Sequence, residues 1–315
     1  MKSKIIISTS LIATALIFSS CKKDDDGDNV GTTTTTTKTL TLSLSGLEDL
    51  GDDYVYEGWV IVDGSPVSTG TFNVDGEGSL SATSFEVDSV SLESATAFVL
   101  SIEPTVDLDP DPSETKLLTA TFDDDMATVQ EYYIPGFTDG SGADFSSVAG
   151  TYFLRSPTDE ADPGNPNNGN DENGIWFGIP GTPPTTGFTG MPELSDEDGW
   201  RYEGWVVVDG TPISTGTFTD FESVDAGNPF SGTEYNVGPP IPGEDFFNDA
   251  PDGVTFPLDV RGTTTVISIE PYPDNSTAPF ALKPLTATIA DDATTATAHD
   301  FGQNLSSFPT GTVSR

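Results

Sequence analysis

Apolar positions in this chain fall into two patterns: one unbroken run near the start, then many short alternating stretches. The run, Ile5 to Phe18, is softened only by Ser, Thr and Ala. It is too short to cross a bilayer core of about 30 Å, which takes about 20 apolar residues in a helix. The later stretches have the period of strands. Tyr56 to Val62 is aromatic and β-branched, Asp63-Gly64 supplies a hairpin turn, and Val67 to Phe72 returns. In Phe98 to Glu103 the side chains alternate, so that Phe98, Leu100 and Ile102 share a face. Pro104 ends that run, since it has no N–H for a ladder. Thr151 to Arg155 and Ile175 to Ile179 read as further strands, either side of the loop-like residues 157–174. No segment after the apolar run combines helical periodicity with good caps. The expected fold class is therefore all-β, in antiparallel β-sandwich modules.

The pattern repeats. Residues 56–72 and 202–218 are identical at 14 of 17 positions, and the other three are conservative. Ser101-Ile102-Glu103-Pro104 returns as Ser268-Ile269-Glu270-Pro271, and Lys116 with its LLTATFDDD run returns as Lys283 with PLTATIADD. Tyr56 lies 47 residues before Glu103, and Tyr202 lies 68 before Glu270, so the second copy carries 21 extra residues. These fall within about 221–258, where Gly and Pro predict an elaborate loop. The expected organisation is two tandem modules, 39–135 and 148–302, joined by a linker at 136–147 and followed by a tail at 303–315.

The start of the chain reads as an export signal. Lys2 and Lys4 precede the apolar run, and Ser19 and Ser20 precede Cys21, the one cysteine in the chain. Cleavage before Cys21 would free it for acylation, making the bilayer a partner through its lipid chains. One acyl chain binds marginally, at about 0.8 kcal/mol per buried methylene, so the several chains of a bacterial lipoprotein are what make such an anchor stable. Lys22, Lys23, Asp24, Asp25 and Asp26 resemble the surface-export signal that follows the lipidated cysteine in Bacteroidota lipoproteins. Together with Thr32 to Thr37 they form a polar tether over residues 21–38. The expected location is the outer membrane, facing the exterior.

Composition narrows the chemistry. With 51 acidic residues against 11 basic, the formal charge is -40, which repels phosphate backbones and excludes nucleic acid as a partner. The 19 Phe, 8 Tyr and 4 Trp nevertheless suffice for a core. No disulfide can form within a chain with one cysteine.

Catalysis has little to work with. His299 is the lone histidine and reads as a strand-end residue. Paired-carboxylate chemistry stays open, although carboxylates are too abundant for any pair to stand out. No cofactor is expected, with calcium the one metal that suits the composition. Asp107, Asp109, Asp111 and Glu114 alternate as oxygen ligands do, and the Asn/Asp/Gly stretch 165–174 offers a weaker set. Glu57 with Trp59, and Glu203 with Trp205, fall at alternate positions of a strand and suggest an aromatic-plus-carboxylate sugar site, with Trp176 as a candidate further ring. Trp in such a strand is more often core, and that is the favoured reading of Trp59 and Trp205. Glu103 and Glu270 stand at strand ends, where a carboxylate accepts backbone N–H groups.

The sequence Tyr-x-x-Trp-Val-x-Val-Asp-Gly-x-Pro-x-x-x-Gly-x-Phe, followed by Ile-Glu-Pro, resembles the C-terminal extracytoplasmic domain of anti-sigma-K factors of the RskA type. It does so over most of residues 40–131 and again over 150–301. The resemblance implies a β-domain outside the inner membrane with a sensing or binding role. In that family a cytoplasmic helical domain holds the sigma factor and a membrane helix joins the two parts. Neither is expected here, so no direct sigma-factor contact is expected. The function expected is that of a non-enzymatic envelope lipoprotein acting in binding, sensing or surface structure on an unknown extracellular ligand or envelope protein. The alternatives are a carbohydrate- or calcium-dependent adhesion module and a carboxylate-based hydrolase.

Overall fold

The computed structural model describes residues 36–136, 142–159, 169–232, 238–273 and 276–315. Residues 21–26, with the expected lipidation and export signals, lie outside the described residues, as do 165–168. Thr36–Arg315 form one compact, almost entirely β unit.

The first repeat supplies β1 (Thr37–Ser45), β2 (Tyr54–Val62), β3 (Ser65–Phe72), β4 (Ser84–Asp88), β5 (Ala97–Pro104), β6 (Lys116–Asp123) and β7 (Met126–Val129). The short pair β8 (Tyr133–Ile134) and β9 (Ala143–Asp144) and then β10 (Thr151–Leu154) follow. The second repeat supplies β11 (Gly174–Trp176), β12 (Trp200–Val208), β13 (Thr211–Phe218), β14 (Gly243–Asp245), β15 (Thr264–Pro271) and β16 (Leu285–Thr288). It ends with β17 (His299–Asp300), β18 (Gly302–Gln303) and β19 (Thr310–Ser314).

The expected hairpins form in both repeats. Asp63 and Gly64, and likewise Asp209 and Gly210, take positive φ in the turns, the condition for a tight two-residue connection with the twist of its strands. Strands β5 and β15 are buried on both faces rather than one. One departure is α1 (Ser89–Ser94), a six-residue helix whose N-terminus Asp88 caps by accepting from the Ser91 N–H at 2.9 Å. It is too short for a hydrophobic period to announce it. Another is the strand expected to reach Ile179, which ends at Trp176.

The larger departure concerns the modules. In the eight-stranded sheet, ordered β3-β2-β5-β6-β7-β19-β1-β4, the last strand of the sequence fills the slot between β7 and β1. In the second repeat, β10 fills the matching slot between β17 and β11. Thus β10, which closes the first repeat in sequence, completes the second in space, and β19 does the reverse. The registers correspond: Val313 pairs with Leu42, and Phe153 with Trp176. A faint echo accompanies them, FSSVAGTYFLR at 145–155 against LSSFPTGTVSR at 305–315.

This reciprocal exchange explains three corrections. The expected tail 303–315 holds a sheet strand with Val313 fully buried. The expected linker 136–147 holds β9 and the buried Phe145, whose ring meets Phe308 at 5.5 Å. A single apolar cluster runs through both repeats, from Leu40 to Val313, instead of two separate cores. The insertion at 221–258 is also more than a loop, because its β14 pairs with β11.

Candidate functional site

The most repeated residues build a buried hydrogen-bond chain. Trp59 Nε1 donates to Ser101 Oγ at 2.8 Å, Ser101 donates to Glu103, and Glu103 accepts the Ser113 N–H at 2.8 Å. In the second repeat Trp205 Nε1 donates to Ser268 Oγ at 2.8 Å, Ser268 donates to Glu270, and Glu270 accepts the Phe280 N–H at 3.0 Å. Both Trp rings are buried, at 3% and 1% exposure, so they are core, as favoured, and the alternative sugar-binding platform on them is ruled out. Glu57 and Glu203 accept from Ser68 and Ser214 on the neighbouring strand. Trp176 is buried too, donating to the Arg155 carbonyl and packing with Phe153 and Ile241. The strand-end role expected of Glu103 and Glu270 is what the geometry displays: each ties the loop after its strand back to the strand end. Burial pushes the Glu103 carboxyl above its usual range.

Those tied loops shape a groove of about 740 Å³, within the size range of ligand sites. One wall comes from the first repeat, Glu48 to Tyr54 with Ile102, Pro104, Ser113, Glu114 and Thr115. The facing wall comes from the equivalent elements of the second, including Asp196, Gly199, Pro271, Tyr272, Pro273 and Phe280. Thr115 Oγ1 reaches the Gly199 carbonyl at 3.4 Å, joining the two. Arg201 is held outside by Asp196 at 2.6 Å and lies over the Tyr272 ring at 4.1 Å. Sequence reasoning missed this groove, because its walls are loops that meet only when the repeats pack.

The acidic stretch Asp107 to Glu114 does not gather into a coordination sphere. Asp107 and Asp109 cap their own turns, accepting from the N–H groups of Asp109 and Asp111 at 2.8 and 3.1 Å. Among the described residues no group of three or more His, Cys, Asp or Glu is placed to hold a metal ion. His299 sits on β17 as expected, its Nε2 at 2.8 Å from the Thr294 carbonyl and its ring stacked on Tyr152.

A second group of carboxylates went unnoticed in the sequence. Burial pushes Asp225 up to about 8 and Glu244 up to about 7, and raises Asp171 and Asp245 as well. Glu244 accepts from Ser231 Oγ at 2.5 Å, and Asp245 accepts from the Thr158 N–H and hydroxyl at 2.9 and 2.6 Å. The Thr158 bonds fasten the insertion to the connection between β10 and β11, and the Ser231 bond ties the insertion to itself. They lie apart from the groove.

The described residues thus form an antiparallel all-β body with a loop-walled groove. Its first repeat carries the family likeness: residues 12–115, 104 of the 315, match the family model described as anti-sigma-K factor rskA, C-terminal. No curated protein and no solved structure matches the chain.

Proposed function

We propose that this chain is a non-enzymatic binding or sensing lipoprotein of the cell envelope. In this reading the second repeat is a further copy of the domain matched in the first, and ligand is taken up in the groove between them. The observation that carries it is the groove itself, walled by equivalent loops of both repeats and braced by the duplicated Trp–Ser–Glu chains. A site built from both copies gives the duplication a use that one copy lacks. Acylated Cys21 holds the body to the bilayer, and Lys22 to Asp26 direct it to the outer face of the outer membrane. With no sigma-binding domain in this reading, the fold is shared with anti-sigma factors and the sigma contact is not.

Three measurements test this. Radiolabelled palmitate should enter the wild type and not a Cys21→Ser variant. A small-molecule and peptide screen followed by NMR should give hits whose binding is lost in Tyr54→Ala/Tyr272→Ala. Hits that survive in that variant would remove the groove as the binding site. Proteolysis of intact cells that spares the body would remove surface display.

A further inference from the structure

The groove is lined by apolar and acidic residues together. Leu50, Tyr54, Ile102, Pro104, Pro271, Tyr272 and Phe280 supply apolar surface. The carboxylates Glu48, Asp49, Asp52, Asp53, Glu114 and Asp196 line it as well, and no Lys or Arg is among the lining residues. Nearby cations are engaged: Arg201 donates from Nε and Nη2 to Asp196 at 2.6 and 2.8 Å, and Lys116 sits 3.4 Å from Glu114. Asp52 and Asp53 are exposed.

Resting on the groove as the binding site, we propose that its ligand is a short amphipathic cationic peptide segment, with Lys or Arg side chains flanking apolar ones. Charge complementarity selects the cation: one-signed carboxylates over low-dielectric walls focus a field that draws in the opposite charge, and the body's overall charge of -40 extends it. The apolar surface selects the rest. A compact amine leaves the Pro and aromatic surface uncovered, whereas apolar side chains bury it, and a volume of about 740 Å³ accommodates several residues. Prolines and rings also give apolar contact at small entropic cost, because they hold few rotatable bonds.

Isothermal titration of the full chain tests this with a capped octapeptide alternating Lys and Leu. Its N-acetyl-lysine counterpart and a neutral maltooligosaccharide serve as comparisons. The cationic peptide should bind, the acetylated one about tenfold more weakly or worse, and added salt should weaken binding steadily. Asp52→Asn/Asp53→Asn should lower affinity about tenfold, while Asp63→Asn/Asp209→Asn, which removes the same charge from the distant hairpin turns, should leave it unchanged. Equal binding of the acetylated peptide, equal loss in both double variants, or no binding by the cationic peptide overturns the ligand class. Binding of the oligosaccharide alone, abolished by Tyr54→Ala/Tyr272→Ala, overturns it while leaving the groove as the binding site. Binding of any probe that ignores that variant removes the site itself.

Discussion

At the scale of single residues, the duplicated Trp, Ser and Glu show how a site is held by groups that never touch a ligand. Deleting the middle of the buried chain leaves the Trp Nε1 without its acceptor, while the Glu keeps its backbone N–H, and an unsatisfied buried group costs about 1–3 kcal/mol. Ser101→Ala and Ser268→Ala should therefore each lower unfolding stability by that amount in urea titration. Trp59→Phe should cost less, because Ser101 loses one donor but keeps its bond to Glu103. The sequence pointed to these residues by repetition and to the strand-end role of the two Glu, but not to the Trp–Ser link, since alternation along a strand alone cannot tell a platform from a core. That distinction depends on what covers the second face of β5 and β15.

Asp225 and Glu244 carry a further expectation at this scale. Their folded pKa values, about 8 and about 7, lie above the ordinary 3.8 and 4.5. The stability they contribute is fully present below pH 4 and is lost as pH rises through 7 to 8. Asp225→Asn with Glu244→Gln removes the ionisation. The double variant should change melting temperature little at pH 4 and raise it relative to wild type at pH 8, read by differential scanning calorimetry. A difference of the opposite sign would reject the burial argument.

At the scale of elements, close approach fixes the hairpins. A Cβ on Gly58 would sit 2.5 Å from Thr69 Oγ1 and 2.8 Å from the Phe98 ring, and one on Gly204 would sit 2.1 Å from the Phe177 ring. Gly204→Ala should be the more damaging, by about 1–3 kcal/mol as overpacked core positions are, because the buried ring it meets stands closer, at 2.1 Å against 2.8 Å. Both hairpins were legible, down to the Asp-Gly turn, because turn chemistry is local. The helix α1 and the strand β14 were not. Six and three residues are too few to show a period, and their placement depends on partners far along the chain.

At the scale of the whole molecule, the exchange of β10 and β19 makes the two repeats mutually dependent. Val313 fills the core, and Arg315 donates to the carbonyls of Leu92, Ala95 and Asp124 while lying 4.4 Å over the Phe122 ring. Removing residues 309–315 should therefore destabilise the first repeat, not merely shorten the chain. A protease site placed in the connection between Asp159 and Gly169 should leave two fragments that co-elute in size-exclusion chromatography, since each holds a strand of the other's sheet. Fragments that separate without denaturant would refute the exchange. The repeat was plain in the sequence, yet it led to two modules, because the echo between 145–155 and 305–315 keeps only two serines and an arginine identical. Sheet membership is decided by pairing, and pairing between distant segments leaves little trace in either one alone.

The placement of β1 has a mechanical consequence. It is the first strand after Thr36, and it is zipped on one side to β19 from the other repeat and on the other to β4 of its own. A pull on the upstream chain directed along β1 meets two ladders loaded in shear, whose hydrogen bonds must fail together rather than one at a time. Tension arriving from a tether is thereby divided at once between both halves of the body.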